Sequence, residues 1–167
     1  LALMYHRHLK VVDIFASRLL LEAAGATISF TVLSLFFSAI GWISPPEDIG
    51  KVLFAWFMLA WFGFSLAVLM GALSEQSELI DKIWHPISYL LFPLSGAAFM
   101  VDALPTVAQE FVLMLPMVHG VELLREGYFG STFKAHYDIG YMAIVCACMS
   151  LLGMAKMREI SRTVMPE

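Results

Sequence analysis

His119 and Glu122 stand three residues apart, a spacing that puts two potential metal ligands or acid–base groups on one helical face. No second His–carboxylate pair accompanies them, and Arg125 and Glu126 extend the run of charge. An ion-pair cluster at a membrane interface is therefore the reading for Glu122, Arg125 and Glu126, with no metal assigned. The rival chemistry is an intramembrane enzyme using His119 and Glu122 with His136 or Asp138 on a lipid-linked substrate. His6 and His8 flank Arg7, a pattern suited to lipid headgroups or a partner protein rather than a metal. Glu75, Glu78 and Asp81 fall at i, i+3 and i+6, one face of a short helix. They read either as acids stabilising a helix N-terminus behind Ser74 or Ser77, or as a contact surface for a cytoplasmic partner. Cys146 and Cys148, two apart, point to different faces of a helix and form no metal clip. The chain carries no Gly-x-x-x-x-Gly-Lys-Ser/Thr phosphate loop, no Gly-x-Ser-x-Gly elbow and no His-Glu-x-x-His pair, so no catalytic residue is assigned.

The elements that must position these groups are set by composition. Of 167 residues, 60% are apolar and only 14% charged, with a mean hydropathy of +0.79. A soluble domain carries about 25% charged residues. No packed core of this length hides so much apolar surface, which excludes a soluble monomer. Ten Lys/Arg against fourteen Asp/Glu give a net charge of −4, which excludes nucleic-acid binding through a basic face.

A spanning helix needs about 20 mostly apolar residues. Four stretches predict spans at about 19–43, 52–73, 83–101 and 139–155, with Arg18 pairing with Glu22 at the start of the first. Pro86, Pro93 and Gly96 loosen the third, where Tyr89, Phe92 and Phe99 serve either helix packing or stacking on sugar rings in a channel. A fifth apolar stretch, 103–121, holds Glu110 near its centre and Pro105 and Pro116 besides, so it is predicted to enter the membrane and turn back. With four spans and a cytoplasmic N-terminus, seven basic residues lie inside and three outside; a fifth crossing makes this six to four. The first arrangement follows the positive-inside rule, with both visible termini cytoplasmic. The fold class is all-α: one membrane domain over 1–167, a helical bundle with a re-entrant periplasmic helix pair.

Two stretches carry a resemblance. One is Tyr5-His6-Arg7-His8-Leu9-Lys10-Val11-Val12-Asp13-Ile14 running into Ala16-Ser17-Arg18-Leu19-Leu20-Leu21-Glu22. The other is Pro93-Leu94-Ser95-Gly96, then Leu104-Pro105, then Leu115 through Phe129 with Pro116, His119, Glu122 and Arg125. They resemble the membrane subunit of ABC-2 type exporters for capsular polysaccharide and, more distantly, O-antigen or teichoic acid. The family's asparagine before that proline is Leu115 here. The resemblance covers essentially the whole chain. It implies six spans, of which this chain holds the last four, starting in the cytoplasmic loop after the second, with re-entrant helices at 103–128.

It also implies a homodimer in the inner membrane, paired with two nucleotide-binding ATPase subunits that carry ATP and Mg, with no cofactor in this chain. The substrate is then a lipid-linked polysaccharide, and periplasmic export proteins are further expected partners. Coupling to the ATPase falls to Tyr5, His6, Arg7, His8, Lys10, Glu75, Glu78 and Asp81. Tyr89, Phe92 and Phe99 would line the channel, and Pro116, His119, Glu122 and Arg125 would form a periplasmic gate.

Overall fold

A computed structural model describes residues 11–132 and 134–164. Tyr5, His6, Arg7, His8 and Lys10, expected to couple to an ATPase, lie outside the described residues. The described chain is built of helices: α1 (Val11–Ile40), α2 (Ile49–Gln76), α3 (Glu78–Leu94), α4 (Thr106–Val112), α5 (Pro116–Phe129) and α6 (Ile139–Val164). Single 3₁₀ turns follow α3 and α5, at Val101–Ala103 and Gly130–Thr132.

Three stretches are long and apolar enough to cross a bilayer: Ala16–Ile40, Ile49–Gln76 and Ile139–Glu159. The 25-residue span in α1 rises about 37 Å, enough for the ~30 Å hydrocarbon core. The third expected span, 83–101, is shifted: α3 starts at Glu78, behind an N-cap at Ser77, and stops at Leu94. At 17 residues it rises only about 25 Å. Pro93 sits in its last turn, and Gly96 turns the chain out at φ +84°, so Ala97 through Met100 leave the helix.

The expected re-entrant segment is two helices, α4 and α5, bent by 106°. Pro116 opens α5 at its first position, where a missing N–H costs nothing, and prevents α4 from running through. Arms of about 10 and 21 Å at that angle span only about 21 Å end to end, short of a bilayer.

The packed centre is α2 against α6. Val52, Ala55, Met58, Ser65, Val68 and Ala72 form a buried seam along α2, matched on α6 by Met142, Cys146, Ser150, Gly153 and Met157. Without water to drive association, small residues and polar bonds hold such a seam. A Cβ on Gly153 would stand 2.8 Å from the backbone nitrogen of Leu69, so the two backbones nearly touch. Trp61 Nε1 donates to Ser150 Oγ at 3.3 Å, and Ser65 Oγ to the Trp61 carbonyl at 2.7 Å. Cys146 is buried in this seam and Cys148 exposed; the two point to different faces, although burial was expected of both.

Helix α1 lies outside this centre, its span free of buried residues. It is fastened by polar side chains: Trp56 Nε1 donates to Thr27 Oγ1 at 2.9 Å, Phe30 stacks on Trp56, and Ser34 meets Tyr128 Oη at 2.8 Å. The predicted Arg18–Glu22 pair forms at 3.2 Å on the exposed face.

Candidate functional site

The ends of α1 and α3, the starts of α2 and α6, and all of α4–α5 meet at one end of the bundle. Helix α5 is its hub, and its sequence explains why. Gly127 allows α5 to lie on the first turn of α2, where a Cβ would come within 2.9 Å of the Val52 nitrogen. The chain between α1 and α2 then donates to the end of α5: Asp48 N–H to the Gly127 carbonyl at 2.9 Å and Glu47 N–H to that of Tyr128 at 3.3 Å.

Of the four residues expected to gate this end, His119, Glu122 and Arg125 enter one polar network, and Pro116 makes the bend that admits it. Glu122 is completely buried. Its Oε1 accepts from Arg125 Nη1 at 2.8 Å and from Val101 N–H at 3.5 Å. Its Oε2 accepts from His136 N–H at 3.3 Å. One carboxylate therefore joins α5 to the 3₁₀ turn behind α3 and to the loop leading into α6. The second arm of Arg125, Nη2, donates to the Gly96 carbonyl at 2.7 Å. The planar fork of arginine is what allows both contacts at once.

His119, 4% exposed, links the α4–α5 bend to α6. Its Nδ1 accepts from Asp138 N–H at 2.8 Å, so the ring proton resides on Nε2, which donates to the Leu113 carbonyl at 2.8 Å. Tyr141, edge-to-face with His119, donates its hydroxyl to the Met114 carbonyl at 2.7 Å. Two carbonyls freed at the end of α4 are thus taken up by α5 and α6 side chains. With the ring of His119 and both oxygens of Glu122 held by protein groups, the arrangement ties α5 to the segments around it.

A second, more exposed tether was not singled out by the sequence. Lys51 Nζ reaches Glu126 Oε1 at 3.0 Å, and the Glu126 carboxylate beside the Tyr137 phenol, with burial, raises the Tyr137 pKa above its ordinary value. The signal was present only as a basic residue one turn into α2 and an acidic one on α5, which no spacing rule connects.

The other expected sites separate. Glu75, Glu78 and Asp81 do not share one short helix: Glu75 ends α2, Ser77 is extended, and Glu78 and Asp81 occupy the first turn of α3. All three are exposed; Glu78 and Asp81 suit the N-terminus of α3, whereas Glu75 stands at the C-terminal end of α2, where the helix dipole gives it no support. Tyr89 and Phe92 are 79% and 73% exposed on α3. Phe99 is not with them; beyond the end of α3, it packs against the buried cluster of Val101, Val112, Met117 and Val118.

Residues 3–129 match the family model described as ABC-2 type transporter. The chain is 39% identical over all 167 residues to the capsule polysaccharide export inner-membrane protein BexB of Haemophilus influenzae, covering 63% of that protein. It is 39% identical over 166 residues to the capsule polysaccharide export inner-membrane protein CtrC of Neisseria meningitidis serogroup B, 99% of this chain and again 63% of the relative. Nodulation protein J of Sinorhizobium fredii is 33% identical over 116 residues, 68% of this chain and 43% of that protein. The chain thus spans just under two thirds of the length of the capsule-export relatives.

Proposed function

The chain belongs to the ABC-2 type transporter family, and from that premise we propose that it is part of the membrane subunit of an ATP-driven exporter of capsular polysaccharide. The observation that carries the reading is identity spread over every residue of the chain, to proteins named for capsule export at the inner membrane. The protein is then a multi-pass inner-membrane permease, both described termini facing the cytoplasm, and the α4–α5 end faces outward.

In this reading the subunit pairs with a second copy and with two ATPase subunits, which bind ATP and Mg, and a lipid-linked polysaccharide is the substrate. Tyr5, His6, Arg7, His8 and Lys10 couple to the ATPase together with Glu75, Glu78 and Asp81. Tyr89 and Phe92, the exposed aromatics of α3, offer flat apolar faces to sugar rings. The network of Glu122, Arg125 and His119 fixes α5 across the outer end, where Pro116 turns the chain back.

Deleting the gene in its native host and restoring it on a plasmid tests the proposal. Surface polysaccharide should vanish on deletion, accumulate inside the cell, and return with the gene. The protein should co-purify with a phosphate-loop ATPase whose hydrolysis responds to lipid-linked polysaccharide. Unchanged surface polysaccharide in the deletion strain overturns the reading.

A further inference from the structure

Helix α3, like the span of α1, lies outside the packed centre. It has no buried residue, and a cleft of about 500 Å³ separates it from α2, lined by Gly63, Ala67 and Gly71 on one side and Trp84 on the other. Along the cleft, α3 is not locked against α2 by packing; only near its far end do Leu91 and Leu94 pack, against the cluster of Val101, Val112, Met117 and Val118. Its two ends hold it instead. At one end a single extended residue, Ser77 (φ −153°, ψ 117°), connects it to α2, with no side-chain cap bond. At the other, Gly96 at φ +84° turns its carbonyl to Arg125 Nη2, 2.7 Å away.

Helix α5, which carries that arginine, is fixed. Gly127 lies on the backbone of α2, Glu47 and Asp48 bond its last carbonyls, and Glu122 and His119 tie it toward α6. Relative motion between α3 and α5 at this end therefore moves α3.

We propose that α3 is a lever that pivots at Ser77 and is held closed at its far end by the Arg125 guanidinium on the Gly96 carbonyl. A swing of about 10° on an arm of about 25 Å moves Gly96 by about 4 Å, enough to part that bond. The Glu75, Glu78 and Asp81 carboxylates straddle the pivot, Glu75 on α2 and the other two on α3. A partner that grips both sides changes the angle between the helices and, at the far end, frees the catch. Tyr89 and Phe92 travel with α3. This rests on the export reading for its purpose, but the lever itself is a property of the chain.

The test uses the full-length protein with Cys146→Ala and Cys148→Ser, reconstituted in nanodiscs. Spin labels on Ala97→Cys and Phe129→Cys report the distance from the end of α3 to the end of α5. Arg125→Lys keeps a positive charge for Glu122 but has no second arm for Gly96. It should melt close to the parent and yet raise the long-distance population about 10-fold, the effect of losing one charge-assisted bond. An unchanged distance distribution in Arg125→Lys overturns the lever, whatever export does.

In cells, Gly96→Cys with Val118→Cys places two thiols where a Cβ on Gly96 stands 3.5 Å from the Val118 side chain. Oxidation should stop polysaccharide export, and reduction restore it, with the reduced form as its own folding control. If that pair does not fold, the spin-label distances decide. Export that persists through a formed disulfide also overturns the lever. A moving α3 in a protein whose deletion leaves surface polysaccharide intact would overturn the export reading and leave the lever standing.

Discussion

Removing the Glu122 carboxylate is the perturbation that most directly tests how the α5 hub is built. The Glu122 side chain is 0% and that of Arg125 13% exposed, with 2.8 Å between them. Glu122→Ala leaves a buried guanidinium without its counter-charge, a loss of about 3–5 kcal/mol. The bonds from Val101 N–H and His136 N–H, at 3.5 and 3.3 Å, are long and add less than about 1 kcal/mol each. Arg125 keeps its bond to the Gly96 carbonyl, which pulls the total toward the lower bound, about 3 kcal/mol.

At about 2–4 °C per kcal/mol for a chain of this size class, the detergent-solubilised full-length protein should melt about 6–12 °C lower. Replacing both partners, Glu122→Leu with Arg125→Met, removes the stranded charge and should recover most of that loss, because an apolar pair of similar volume is often neutral. The assay is thermal unfolding followed by tryptophan fluorescence on wild type, Glu122→Ala, and the single Glu122→Leu, single Arg125→Met and double variants. If Glu122→Ala melts within about 2 °C of wild type, or the two substitutions simply add, the carboxylate is not the joint described above.

Two further outcomes follow from other contacts. Gly153→Leu should separate α2 from α6, since even a Cβ there would stand 2.8 Å from the Leu69 nitrogen; unfolding temperature should fall sharply, whereas Gly63→Ala, whose Cβ meets nothing within 4 Å, should leave it unchanged or slightly raised. The Tyr137 pKa is raised first by the neighbouring Glu126 carboxylate and then by burial, so its stabilising contribution is complete below the ordinary value of 10.0 and is lost as pH rises through the shifted one. Melting curves between about pH 9 and 11 should therefore fall more steeply for wild type than for Tyr137→Phe.

Much of the fold was legible because a bilayer leaves the chain few choices. An apolar run without charge must satisfy its own backbone, so the helices around 23–40, 52–73 and 139–155 could be read from composition alone. The bend between α4 and α5 was legible for the converse reason: Pro116 and Glu110 are poor material for a straight crossing helix. What composition could not supply was where α3 ends. Pro93 looked like an interior kink in a span reaching residue 101, and the outcome depended on Gly96 adopting φ +84°. That conformation lets its carbonyl meet Arg125, 29 residues away. Phe99 followed the same error, placed on a helix face when it packs against Val101 and Val118.

The site shows the same division at finer grain. Spacing three apart put Glu122 and Arg125 within reach of each other, and the ion pair between them was read correctly. Their remaining partners are backbone groups: Val101 and His136 N–H for Glu122, the Gly96 carbonyl for Arg125, Asp138 N–H and the Leu113 carbonyl for His119. Every residue but proline owns a backbone N–H, so side-chain pattern carries no record of which one a buried carboxylate will claim. The pattern does record that a carboxylate, a guanidinium and an imidazole stand within seven residues of an otherwise apolar stretch. In a low-dielectric surrounding such groups must be paired or moved to water. The backbone around Gly96, Val101, Leu113 and His136–Asp138 meets at α5 because its buried polar side chains need those N–H and carbonyl groups, and that need is what fixes α5 in place.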